Sequence, residues 1–242
     1  MRRLPLSVGI VAFSVALLDL PSIAQTDSFD TPRKRKVVDL GPSEYSPGRV
    51  RNALSCWYFP KFIVKQLDMG QKGAERLSIL PVANGTTPTC TLAHEDKERV
   101  IEAREWSGYF KGVKGQFVFF DADDGIDGGL PFAIYDSRTG GKLFQDSVFR
   151  DVYFSHTQDG HLSLKYLRVV AGDCSLPRDK TACWQQIRKN LNLKTELLPT
   201  CTGYTSDITE TWSTVAYPVE VTFFPEPSIV PQNGKVMCWP VD

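Results

Sequence analysis

Strand signals dominate this chain from Cys56 onward, and they are densest between Gly115 and Gly140. There the pattern F-x-x-(aromatic)-D-x-x-x-G occurs twice, as Phe117 to Gly125 and as Phe132 to Gly140. Phe117, Val118, Phe119 and Phe120 form one continuous apolar run, and Phe132, Ala133, Ile134 and Tyr135 form another. Unbroken runs of this length suit strands covered on both faces, or strands in the core of a sandwich.

Shorter runs flank this centre. Trp57 to Phe62, Ile63 to Leu67 and Leu77 to Val82 read as strands, and Asn84-Gly85 after the third reads as a hairpin turn, because both residues tolerate positive φ. The same residues with Thr86 also spell a glycosylation acceptor. His94 to Glu105 is highly charged and predicts either an edge strand or a short helix. Alternation over Val148 to Ser155 predicts a half-buried strand, and Leu162 to Val170 returns as a hairpin arm after the Thr157-Gln-Asp-Gly160 turn. Trp184, Ile187 and Leu191 recur at helical spacing, so a short amphipathic helix is expected over Thr181 to Leu193. Two late strands follow, around Val219 to Phe223 and Val236 to Trp239. The expected class is all-β: a sandwich, or an open antiparallel barrel or meander, with one short helix.

The N-terminus departs from this pattern. Arg2 and Arg3 precede an apolar run from Leu6 to Leu18, and Pro21-Ser-Ile-Ala24 puts small residues at the cleavage positions. This is the form of a secretory signal peptide over 1–24, cut after Ala24. The apolar core falls well short of the ~20 residues a membrane span needs, so no transmembrane segment is expected after cleavage. Residues 25–51 are rich in Pro, Ser, Asp and Arg without apolar periodicity and are expected to be a disordered arm. The remaining 52–242 is the right length for a single β-rich domain.

Export changes the meaning of the six cysteines. In an oxidising compartment an even count points to disulfides, and no C-x-x-C pair supplies a redox motif or a zinc knuckle. Sequence alone does not choose the connectivity. Neighbour pairing is the simplest, with Cys56 to Cys90, Cys174 to Cys183 and Cys201 to Cys238. The expected location is secreted, periplasmic or extracellular. Lys and Arg number 28 against 28 Asp and Glu, a balance that calls for no nucleic acid. The local exception is Arg33-Lys-Arg-Lys36, a cationic run that could touch an anionic lipid or polysaccharide surface.

Candidate chemistry is sparse. Asp121, Asp123, Asp124 and Asp127 lie on a glycine-rich loop, where hard oxygen ligands could gather around calcium. The spacing is not that of an EF-hand: Gly125 stands at the third position and Ile134 where the bidentate glutamate belongs. No cofactor is otherwise expected, and the same residues also describe a solvated acidic turn. His156 and His161 flank a turn and could share a face across two strands. Trp57, Trp106, Tyr109, Trp212 and Trp239 are candidates for an aromatic platform that stacks sugar rings.

No nucleophile elbow, zincin helix, Walker loop or dinucleotide fingerprint occurs. Ile134 to Phe144 resembles the strand-turn-strand of a propeller blade over about a dozen residues, but the chain lacks the repeat period of a propeller. The expected function is a non-enzymatic binding or interaction module whose partner is a small molecule, a glycan or a protein. The alternative is a secreted hydrolase acting on a glycan or an ester through carboxylates that the sequence does not single out.

Overall fold

The computed structural model describes residues 28–83, 87–206 and 208–241. The expected signal peptide and the Asn84-Gly85-Thr86 turn lie outside the described residues. Two sheets make up the fold. The first is a five-stranded meander, β1 (Lys34–Pro42), β2 (Arg51–Tyr58), β3 (Phe62–Asp68), β4 (Arg76–Pro81) and β5 (Arg99–Ile101), paired in chain order. The second holds ten strands. Its first four are β6 (Gly108–Lys114), β7 (Phe117–Ala122), β8 (Leu130–Asp136) and β9 (Lys142–Val148). Then come β10 (Tyr153–His156), β11 (Leu162–Ala171) and, after the helix α1 (Lys180–Leu191), β12 (Thr200–Cys201), β13 (Ser213–Thr222), β14 (Ser228–Pro231) and β15 (Met237–Pro240). Every pairing is antiparallel except the short one between β12 and β15.

The aromatic runs occupy the centre, as their pattern predicts. β7 and β8 pair in register from Phe117 with Asp136 to Asp121 with Phe132, and neither edge of this pair is free. Alternate residues then point to opposite layers. Val118, Phe120, Ala133 and Tyr135 face the first sheet and meet Phe62, Val64, Leu77 and Ile79 in a core between the sheets. Phe119, Phe132 and Ile134 face away and pack with β11, β13 and the buried Trp184 and Ile187 of α1. A third cluster, Leu54, Ile63, Leu80 and the Cys56–Cys90 disulfide, covers the outer face of the first sheet. The remaining disulfides join Cys174 to Cys183 and Cys201 to Cys238, so all three follow neighbour pairing.

Two expectations are corrected. The arm expected to be disordered over 25–51 supplies β1, whose residues Lys34 to Asp39 pair with β2. Val38 and Leu40 pack on the outer cluster while Lys34, Arg35 and Lys36 remain exposed, so burial on one end and edge only leaves little apolar periodicity to read. The second correction concerns Val148 to Ser155, which is two strands and not one. Arg150 adopts a left-handed φ of 77°, and Phe149 leaves the alternation to pack on Trp239 at 5.2 Å. Packing against a distant strand outweighs the local period there.

The start of the described chain ties the sheets together. Asp30 N–H donates to Val113 O at 2.7 Å, which continues the edge of the second sheet beyond β6. Phe29 inserts its ring between Phe119 and Phe154, at 5.3 and 5.0 Å. From this anchor the chain crosses to β1 on the edge of the first sheet.

Candidate ligand-binding cleft

Three hairpin turns meet at one end of the sandwich. The β2–β3 turn is Phe59-Pro60-Lys61-Phe62, closed by a bond from Phe59 N–H to Phe62 O at 2.9 Å, with proline where the turn favours its fixed φ. The β6–β7 turn is Gly115-Gln116, and Gly115 has the positive φ of 61° that a two-residue hairpin needs. The β8–β9 turn begins at Ser137-Arg138, and Ser137 N–H donates to Gln116 O at 2.9 Å, which locks the second and third turns together.

These turns, with Asp30 and Thr31 of the N-terminal segment, frame a cleft of about 730 Å³. Its apolar wall is Pro60 and Pro81 with the rims of the buried Phe59 and Phe62, whose rings stack at 5.1 Å and 21°. Its polar groups are few. The Asp30 carboxylate already accepts from Gly115 N–H at 2.6 Å and lies 3.6 Å from Lys114 Nζ. Arg138 is forked onto Asp136, donating through Nε at 3.1 Å and through its backbone N–H at 2.7 Å. Burial pushes the Asp136 carboxyl up, but the Arg138 guanidinium and backbone N–H outweigh it and hold the group below the usual carboxylate range. Lys61 is exposed at the turn and forms no ion pair among the described residues.

The residues singled out from sequence lie elsewhere. The acidic loop does not converge on one point: Asp121 pairs with Lys111 at 2.7 Å, and Asp124 pairs with Lys72. Asp127 adopts a φ of 52° and turns its carbonyl to Trp239, which donates through Nε1 at 2.8 Å. Among the described residues no group of three His, Cys, Asp or Glu side chains is placed to hold a metal ion. His156 faces Leu162 across the ladder, not His161, because Thr157 N–H bonds to His161 O and closes a tighter turn over 158–160. The His161 ring stacks instead on Phe224 at 4.4 Å.

The aromatic residues form no common platform. Trp57 packs against Phe110 at 4.6 Å between the sheets, Trp106 is buried, and the Tyr109 hydroxyl accepts from Gly73 N–H at 2.8 Å. Trp212 alone of the five is largely exposed, at 58%.

Two polar clusters carry no sequence motif. Lys65 and Glu98 pair beneath the loop that holds Cys90. Asp146 accepts from Arg168 Nε at 3.0 Å and from the Tyr166 hydroxyl, inside the aromatic layer of the second sheet. Burial first, and then the charge and hydrogen bond of Asp146, push the Tyr166 hydroxyl far above its ordinary value, so it stays a proton donor. The only sequence signal for either cluster is a charged residue inside an apolar strand, Lys65 after Ile63-Val64 and Arg168 before Val169. A further recess of about 350 Å³ lies beside α1, between Leu176-Pro177 and the loop at Cys201 to Tyr204.

No family model matches this chain, and neither a curated protein nor a solved structure matches it.

Proposed function

We propose that this protein is a secreted, non-enzymatic binding module that holds a small ligand in the cleft between its two sheets. The carrying observation is the cleft itself: about 730 Å³, with an aromatic and proline wall and a few fixed polar groups. Ligand pockets of roughly 300–1,000 Å³ commonly have this mixture and commonly sit where two structural layers meet. The hydrogen-bonded turns preorganise the walls, so little ordering cost would fall on binding. The leader-like N-terminus and the three disulfides support export.

The hydrolase alternative draws less support from the same place. Glycoside hydrolysis uses a pair of carboxylates across the scissile bond. Among the described residues Asp30 is the one carboxylate in the wall, and its oxygens are engaged by Gly115 and Lys114.

Titration with the neutral fluorophore N-phenyl-1-naphthylamine tests the binding reading. The wild-type protein should show a saturable rise in fluorescence, and Gln116→Trp, which puts an indole into the cleft mouth, should weaken it at least about tenfold. Binding that is absent, or that survives Gln116→Trp unchanged, overturns the proposal.

A further inference from the structure

The cationic run left unexplained by the sequence lies beside this cleft. Thr31 is in the cleft wall, and two residues on Arg33 donates its backbone N–H to Tyr58 O at 2.8 Å, next to Phe59. From there β1 carries Lys34, Arg35 and Lys36 away along the edge of the first sheet, all exposed. Among the described residues no carboxylate pairs with any of these four. Lys34 and Arg35 instead lie over the rings of Tyr58 and Trp57, at 5.9 and 5.1 Å, which spreads them along the strand in fixed places. On the opposite side of Phe59, Lys61 is likewise without an ion pair among the described residues. The two other charged groups of the wall, Asp30 and Arg138, are each compensated by a partner. The surplus charge at the mouth is therefore positive, and it borders an apolar wall.

We propose that the ligand is an anionic amphiphile: an aromatic or aliphatic body lies against Phe59, Phe62 and Pro81, and an acidic head meets Lys61 and the start of the Arg33–Lys36 run. This rests on the binding reading of the cleft and adds the chemical class. An apolar body gains from leaving water against the Phe59–Phe62 wall. An anionic head would be held by Lys61 without displacing an existing partner. A cationic ligand would meet like charge at the mouth, and a strongly polar one would give up its own water against the apolar wall with no compensating bond.

Two probes with the same aromatic body separate the terms: N-phenyl-1-naphthylamine is neutral, and 8-anilinonaphthalene-1-sulfonate carries one negative charge. Lys61 is exposed at a turn, so Lys61→Glu leaves the fold intact, and matching thermal melts check that it does. The charge reversal should weaken the sulfonate about tenfold and the neutral probe less than about twofold, and Arg33→Glu should weaken the sulfonate alone about threefold. Raising the salt concentration should weaken the sulfonate in the wild type more than in Lys61→Glu.

If Gln116→Trp blocks both probes but Lys61→Glu affects them equally, the cleft still binds and the anionic class is overturned. If neither probe binds, or Gln116→Trp blocks neither, the binding reading fails and this inference falls with it.

Discussion

Lys65 Nζ lies 2.8 Å from Glu98 Oε2, with the two side chains only 5% and 3% exposed. Glu98 also accepts from Ser78 Oγ and from Glu95 N–H at 3.1 Å, so its carboxylate is fully engaged. The pair fastens the loop after β4 onto the outer face of the first sheet, on the same side as the Cys56–Cys90 disulfide. Removing one partner strands the other charge away from water, so Glu98→Gln should cost about 3 kcal/mol and Lys65→Met a similar amount. The double variant Lys65→Met with Glu98→Gln should cost less than the two singles together, and urea denaturation of all three checks the order.

The same pair gives stability a pH dependence. Burial raises the Glu98 carboxyl, but hydrogen bonds from Lys65, Ser78 and Glu95 outweigh it and hold the folded value below the ordinary 4.5. A lowered folded value means the stabilisation is fully present above the unfolded value and fades as pH falls through the folded one. Asp136 behaves in the same direction below its ordinary 3.8. Urea midpoints should therefore fall as pH drops below the usual carboxylate range, and by less in Glu98→Gln. An equal fall in that variant contradicts the assignment.

Disulfide stabilisation should follow loop length. Cys56 and Cys90 are separated by 34 residues and Cys174 and Cys183 by 9. In the chain-entropy model the first closure contributes about 4 kcal/mol and the second about 3 kcal/mol. Non-reducing peptide maps should recover Cys56 with Cys90, Cys174 with Cys183 and Cys201 with Cys238. A crossed pairing contradicts the fold.

Phe29 is the anchor for the segment that reaches β1. A Cβ on Gly112 would stand 2.5 Å from Phe29 Cγ, so Gly112→Ala should dislodge the ring. Phe29→Ala should cost about 1–3 kcal/mol through lost burial against Phe119 and Phe154. Once Phe29 is gone the Gly112 clash disappears, so the double variant should be scarcely worse than Phe29→Ala in thermal melts. Strict additivity contradicts the contact.

Calcium offers a direct check on the acidic loop. Asp121 and Asp124 are drawn to Lys111 and Lys72, and among the described residues the loop gathers no group of three carboxylates around one point. Millimolar calcium should leave the melting temperature unchanged. A site with a Kd near ~10 µM would instead add about 2.7 kcal/mol and raise the midpoint by several degrees.

The strands that follow a period were legible, and so was the presence of disulfides, though not which cysteines pair. Phe117 to Phe120 and Phe132 to Tyr135 read as doubly covered strands because both faces of the sheet they form are buried, and the helix showed itself through Trp184 and Ile187. β1 did not, because an edge strand with one short apolar patch leaves charged residues at most positions. Phe149 broke its alternation for a contact with Trp239, about ninety residues away, which no local pattern announces. The cleft was hidden for the same reason: Phe59, Gln116 and Arg138 sit in three separate turns, and only the pairing of the sheets brings them to one end. Its cationic border was visible as Arg33 to Lys36, but as a run with no neighbours.

Amide mapping by NMR tests the binding cleft most directly. On titrating isotope-labelled protein with N-phenyl-1-naphthylamine, saturable shifts should concentrate at Phe59, Lys61 and Phe62, at Gly115 and Gln116, and at Ser137 and Arg138, the residues that frame the cleft. Shifts confined to the recess beside α1, around Leu176 and Tyr204, or spread evenly over the surface, contradict the account.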